Sequence, residues 1–273
     1  MKFAARLVLS LACLIAAIVA LGPIFWAIST SFKPTNRIFA VPPEIIPLSP
    51  TFAHYSRLIA EGVQWAFLNS ANYAVLAVLL SLLFGTVAGY ALTRYPVAGK
   101  PAILLIFVGA MAVPGFSVLL PTQLLASELG LYNTYLVLPL LYAGHILPFA
   151  VWVTRAHFAS IPRELEQAAE IDGYSRAEAV WKIVLPGAKP ALLASATFGF
   201  LHCWNDYVTG TTMVDQPELR TLPVALIFFQ GFHGRDWGAL MAGVAIATIP
   251  PVVVFLLFRK YLIGGFADGS VKG

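Results

Sequence analysis

Long apolar runs fall at about 5–30, 67–93, 102–126, 134–157, 190–213 and 238–262. Each is near or above the ~20 residues that a helix needs to cross the hydrocarbon core of a bilayer. Lipid offers backbone groups no hydrogen-bond partner, so only helices and closed barrels span it. A barrel would show short segments of alternating polarity, and this chain shows continuous apolar stretches. The pattern predicts an all-α integral membrane protein, a single transmembrane domain over 1–273 with six transmembrane helices.

Composition agrees. Apolar residues make up 59% of the chain and charged residues 11%, against about half and about a quarter in soluble domains. Lys2 and Arg6 precede an apolar run from Leu7 to Ile28. A secretory signal has a shorter apolar core, so this run reads as a retained helix. Cys13 and Cys203 both sit in apolar runs and read as small buried hydrophobes rather than as a disulfide or a metal site.

The basic residues set the orientation. With a cytoplasmic N-terminus, the inside set is Lys2, Arg6, Arg94, Lys100, Arg155, Arg163, Arg176, Lys182, Lys189, Arg259, Lys260 and Lys272. The outside set is Lys33, Arg37, Arg57, Arg220 and Arg235. Positive charge collects on the cytoplasmic side of membrane proteins, so both termini read as cytoplasmic. The net charge of +4 is thereby explained by topology, with no nucleic-acid partner. The outside connection between the first two spans carries Pro34, Pro42, Pro43, Pro47 and Pro50, and reads as stiff and extended. A second outside loop, at about 214–237, carries Asp215, Glu218, Asp236 and Trp237.

One inside connection is too long to be a plain loop: Ser160 to Pro190, SIPRELEQAAEIDGYSRAEAVWKIVLPGAKP. Pro162 suits a first helical turn, and Glu164 and Glu166 sit near the positive end of that helix. Leu165, Ala168, Ala169 and Ile171 recur at roughly helical spacing. Gly173 is placed to stop the helix, and Ser175 with Glu178 forms a capping box for the next one. Ala177, Val180, Trp181 and Val184 continue its apolar face, Pro186 ends it and Pro190 opens the next span. Two readings fit such a helix–turn–helix: an amphipathic element on lipid headgroups or a docking knob for a soluble partner. Glu164, Glu166, Glu170 and Asp172 favour the knob, because anionic lipid repels an acidic face.

This stretch resembles the EAA motif of binding-protein-dependent ABC importer permeases. That motif reads EAA, three residues, Gly, nine residues, Ile, one residue, Leu-Pro. Here Ala168-Ala169 is followed by Gly173 and then by Ile183, Leu185 and Pro186, with no gap. Gln167 stands at the motif's glutamate, with Glu166 just before it. The tags SFKP (Ser31–Pro34), WND (Trp204–Asp206), TLPVAL (Thr221–Leu226), DWGALMAG (Asp236–Gly243) and SVKG (Ser270–Gly273) resemble the maltose-type carbohydrate permeases, in particular the smaller, MalG-like subunit. The resemblance implies a type I importer transmembrane domain in a bacterial plasma (inner) membrane. It implies a permease core over 66–262 and a cytoplasmic coupling segment over 160–188. Glu166, Gln167, Ala168, Ala169, Asp172, Gly173, Ile183, Leu185 and Pro186 would form the ATPase-coupling surface. The implied partners are a second homologous permease, two copies of an ATP-binding subunit, an extracytoplasmic sugar-binding protein and membrane lipid. ATP and Mg would be bound by the ATPase subunits, with no cofactor and no metal in this chain.

The chain has no GxxxxGK[ST] loop to cradle phosphates and no nucleophile–base–acid set, so it reads as a non-enzyme. Polar groups within spans mark candidate pathway positions: Asn69, Asn72 and Tyr73 in the second, Gln123 in the third, His145 in the fourth. His202, Trp204, Asn205, Asp206 and Tyr207 cluster in the fifth. His202 and Asp206 share a helix face. An aromatic beside amide and carboxylate groups suits a sugar, and interhelical hydrogen bonding is the competing use. The alternatives to a sugar importer are an ABC permease for glycerol-phosphate or another sugar derivative, and an ion-coupled secondary transporter. The last would need coupling carboxylates near the midplane, where only Asp206 could serve.

Overall fold

The computed structural model describes residues 2–230 and 235–269, with side chains over 6–229 and 235–261. The tag at Ser270–Gly273 lies outside the described residues. Among those described, the chain is helical and has no strand. The helices are α1 (Lys2–Ser31), α2 (Ala53–Ala60), α3 (Val63–Arg94), α4 (Lys100–Ala112), α5 (Gly115–Glu128) and α6 (Val137–Ser160). After them come α7 (Glu164–Ile171), α8 (Arg176–Ala179), α9 (Leu185–Asn205), α10 (Val208–Met213), α11 (Leu222–Ile227) and α12 (Trp237–Gly269). Among the described residues, five helical stretches are long and apolar enough to cross a membrane, and the bent pair α4–α5 makes a sixth when taken as one span.

Two of these stretches depart from the simple hydrophobic reading. The third apolar run is broken into α4 and α5, which meet at 100°. Val113 leaves the helical region at φ −72, ψ 122, because a residue before proline is pushed toward extended backbone and Pro114 has no N–H to donate. The fifth run starts earlier than its apolar stretch. Arg176–Asn205 is one continuous helical run, and Pro186 does not end it. A π-turn over Val180–Val184 lets the Leu185 amide reach back to the Val180 carbonyl. The widened turn directly precedes Pro186, whose ring and missing N–H would otherwise strain an α-helical ladder. The helix then ends at Asn205, since Asp206 is extended at φ −72, ψ 121.

The chain divides into two compact units, Met1–Phe67 with Leu222–Pro250, and Leu68–Thr221 with Pro251–Gly273. The first gathers three of the family-like tags. Lys33 is fully buried, its Nζ 4.0 Å from the Trp26 ring centre and 3.4 Å from Thr30 Oγ1. The Lys33 carbonyl pairs with His54 Nε2 at 2.8 Å, and Ser31 Oγ bonds Tyr55 Oη at 2.7 Å. These bonds dock α2 on the end of α1. Arg57 of α2 pairs with Asp236 at 2.5 Å, and Asp236 Oδ1 accepts the Ala239 amide at 3.0 Å to cap α12. Gly238 and Gly243 lie against His54 and Leu226 so closely that a β-carbon at either would collide.

The second unit is built on α3, α6 and α9. Tyr73, Ala74 and Ala77 of α3 pack with Val137, Leu138, Tyr142 and Ile146 of α6 and Cys203 of α9. Gly85 and Gly89 lie one turn apart on α3. A β-carbon at Gly85 would sit 2.7 Å from the Ala150 β-carbon, and one at Gly89 would collide with Thr154. This small-xxx-small face lets the backbones of α3 and α6 approach as membrane helices do when they lack a hydrophobic driving force. Thr154 Oγ1, buried there, donates to the carbonyls of Gly85 at 3.0 Å and Ala150 at 2.7 Å. A smaller cluster of Phe158, Val184 and Ala188, flanked by Tyr90 and Ile161, closes the opposite end of the unit.

Candidate functional site

The segment after α6 forms a helix, a turn and a helix. The turn works because Gly173 adopts φ +88, a left-handed conformation that costs glycine little. Its amide bonds the Glu170 carbonyl at 3.1 Å, and the Tyr174 amide bonds Ala169 at 3.0 Å. Ser175 and Glu178 form a reciprocal capping box.

The two faces of α7 differ. Glu166 and Ala169 are buried, whereas Gln167, Ala168, Glu170, Ile171, Asp172 and Gly173 are exposed. Glu166 turns inward: its Oε1 accepts from Arg94 Nε at 2.6 Å and its Oε2 from Tyr90 Oη at 2.7 Å. The residues expected to dock a partner are therefore split. Gln167, Ala168, Asp172 and Gly173 lie on the outward side, Ala169 packs inward, and Glu166 is spent on α3. Ile183 and Leu185 are half-buried in the continuous helix, and Pro186 is exposed. Ile171 and Trp181 are 85% and 73% exposed, so a segment rich in charge also presents large apolar side chains. Exposed apolar groups rimmed by charge mark an interaction surface.

The polar residues of the fifth span separate in the same way. His202 and Asp206 line a cavity of about 350 Å³ together with Tyr142, His145, Phe116, Thr122 and Thr209, within the usual size range of small-molecule sites. The rings of His145 and His202 stack at 4.5 Å, 9° from parallel. Asp206 accepts hydrogen bonds from Tyr142 Oη at 3.0 Å, Thr209 Oγ1 at 3.1 Å and the Gly210 amide at 3.2 Å. It thus holds the first turn of α10 and forms part of the cavity wall at once. Trp204 is buried, stacked on Phe200 at 5.7 Å. Asn205 bonds back to its own helix at Leu201. Neither lines the cavity. His145 lines the cavity beside Gly115 and Phe116, which follow the break at Pro114; the Pro114-Gly115 pair is the sequence signal for that break.

The second-span candidates go elsewhere. Asn69 Nδ2 donates to the carbonyls of Glu218 at 2.8 Å and Arg220 at 3.1 Å. Tyr73 Oη donates to Leu219 at 3.1 Å, and Asn72 is exposed. These residues tie α3 to the turn Pro217–Leu219. Gln123 Nε2 donates to the Thr212 carbonyl at 3.0 Å. Nearby, the Asn133 side chain accepts the amides of Asp215 and Gln216. Tyr132 donates to Asp215 at 2.7 Å, a hydrogen bond that holds its phenol above the ordinary tyrosine range.

A helical membrane domain with an exposed, mixed acidic and apolar helix–turn–helix and a half-open, largely apolar cavity carrying His145, His202, Tyr142 and Asp206 is the arrangement of the transmembrane part of a transporter. The chain belongs to the family of binding-protein-dependent transport system inner membrane components, whose model matches residues 18–266. It is 31% identical over 252 residues to the diacetylchitobiose uptake system permease protein DasC of Streptomyces coelicolor, covering 92% of this chain and 91% of that protein. It is 32% identical over 272 residues to the trehalose/maltose transport system permease protein MalG of Thermococcus litoralis, covering 98% and 97%. Its fold matches a chain of a bacterial ABC transporter involved in the import of the acidic polysaccharide alginate. There the TM-score is 0.82 and the identity 24%, over 94% of this chain and 95% of that chain. The protein is thus an ABC importer permease, a membrane subunit of the binding-protein-dependent type.

Proposed function

We propose that this chain is one of two permease subunits of an ATP-driven sugar importer, set in a bacterial inner membrane with both termini cytoplasmic. The observation that carries this reading is the knob formed by α7, Gly173 and α8, with Gln167, Ala168, Ile171 and Trp181 turned outward. Two copies of an ATP-binding subunit would receive this knob and the equivalent knob of the second permease. They bind ATP and Mg, and this chain carries out no chemistry of its own. An extracytoplasmic binding protein delivers the substrate to the opposite face. The sugar class is supported by relatives named for diacetylchitobiose and for trehalose and maltose uptake. The cavity at His145, His202, Tyr142 and Asp206 is this subunit's share of the pathway, since hydroxyl, imidazole and carboxylate groups beside Phe116 suit a ring with apolar faces and hydroxyl edges.

Uptake by cells tests this reading. A strain lacking the chain should lose uptake of one labelled oligosaccharide or disaccharide out of a panel, and the same sugar should bind the cognate extracytoplasmic protein. Unchanged uptake of every sugar in the panel, alongside loss of uptake of a non-sugar solute, would contradict the sugar assignment.

A further inference from the structure

The coupling helix is joined to the second span by a buried carboxylate, Glu166, and by bonds from the link that precedes it. Both oxygens of Glu166 are occupied, by Arg94 at 2.6 Å and Tyr90 at 2.7 Å. The side chains of Arg94 and Glu166 are only 6% and 11% exposed, where water screens the attraction poorly. The joint is reciprocal. Arg94 Nη2 donates to the Ile161 carbonyl at 3.0 Å. Arg163 Nη2 donates to the last carbonyls of α3, Thr93 at 3.1 Å and Arg94 at 3.2 Å. Arg94 thereby satisfies the C-cap of α6, and Arg163, at the start of α7, satisfies the last carbonyls of α3.

A docking residue would keep its carboxylate free for the partner, and this one is not free. What the geometry does provide is mechanical. Arg163, in the link before α7, and Glu166, within α7, both hold the end of α3, and Glu166 does so through the buried ion pair. Helix α3 then runs unbroken from Arg94 to Asn69, about 38 Å at 1.5 Å per residue. There Asn69 and Tyr73 hold the turn at Glu218, Leu219 and Arg220. Between the two ends, the close contacts at Gly85 and Gly89 brace α3 against α6.

We propose that Glu166 and Arg94 are positioning residues that lock the coupling helix to α3, so that movement of the knob is delivered along α3 to the turn at Glu218–Arg220 on the extracytoplasmic face. The proposal rests on the importer reading above. It makes Glu166 a transmission residue and leaves contact with the ATPase to Gln167, Ala168 and the exposed apolar side chains. It also makes Asn69 the matching anchor on the other side of the membrane, although Asn69 is 25 positions from Arg94 and touches neither the knob nor the cavity.

The test uses the complete transporter in liposomes with sugar-loaded binding protein, and reads two quantities. One is sugar moved per ATP hydrolysed. The other is cross-linking of a cysteine at Ala168 to the ATPase subunit. In Glu166→Gln the ratio should fall by about tenfold or more, within the usual range of coupling between sites, while the cross-link persists. Asn69→Ala should give the same split from the opposite face. The exchange Glu166→Arg with Arg94→Glu should recover part of the ratio. Tyr90→Phe removes one hydrogen bond and leaves the ion pair, so it guards against loss through misfolding; it should lower the ratio by a smaller factor. An unchanged ratio in both Tyr90→Phe and Asn69→Ala would overturn the proposal. So would loss of the cross-link with the ratio preserved in Glu166→Gln, which would return Glu166 to a docking role. Failure of the importer reading is distinct, because the unmodified complex would then move no sugar with ATP.

Discussion

Glu166 and Gln167 are neighbours in the chain and face opposite ways, and most of the site turns on that fact. The EAA-like spacing is legible in the sequence, as are the stop at Gly173 and the capping box at Ser175 and Glu178, because these are local features governed by helix ends. Which of two adjacent polar side chains points outward is not legible. It depends on Arg94, 72 positions away, which as a sequence feature is only one of the basic residues that set the orientation. On the proposal above, Glu166 is committed inward and leaves the motif's glutamate position to Gln167. Gln167→Glu should therefore hold or tighten association with the ATPase subunit, by up to about fivefold in Kd as for an exposed ion pair. Binding of detergent-solubilised permease to the ATPase checks this, and a clear weakening would contradict the outward assignment.

At the scale of elements, the apolar runs are legible because hydrocarbon thickness imposes a length that few soluble segments match. The breaks inside the runs are not legible from hydropathy alone. Proline is tolerated in membrane helices when neighbours absorb the freed groups, so Pro114, Pro186 and Pro190 carry the same letter and have different outcomes. Pro114 breaks the third span, a π-turn precedes Pro186, and Pro190 sits inside α9. The packing of α3 on α6 is half legible. Gly85 and Gly89 have the spacing of a close helix contact, and only the fold shows that α6 is the partner. Gly89→Leu should force α3 from α6 at a cost of about 1–3 kcal/mol, typical of overpacking, seen as a lower thermal-unfolding midpoint of the purified complex. Gly109→Leu, with nothing within 4 Å of its β position, should leave the midpoint unchanged.

Across the whole molecule, large apolar side chains stay exposed along α1 from Leu7 to Phe25, and again on α3, α4 and α12. In water that surface would be untenable; in lipid it is the expected exterior. The first unit needs no sugar chemistry to explain its tags, since SFKP, TLPVAL and DWGALMAG meet there as a buried junction around Lys33, His54, Leu226 and Asp236. The WND tag divides its roles, with Trp204 packing and Asp206 lining the cavity. The candidate pathway was thus only partly legible, because a cavity is made by several elements at once. The division of labour that follows, with this chain as pathway and lever and its partners as ATPase and sugar capture, rests on transport being driven by ATP. Uptake of labelled sugar into proteoliposomes holding both permeases and the ATPase, with loaded binding protein outside, measures this directly. Enclosed ATP should drive uptake, and mutation of the ATPase phosphate-loop lysine should abolish it. Uptake that needs only an ion gradient and persists without ATP would contradict the account.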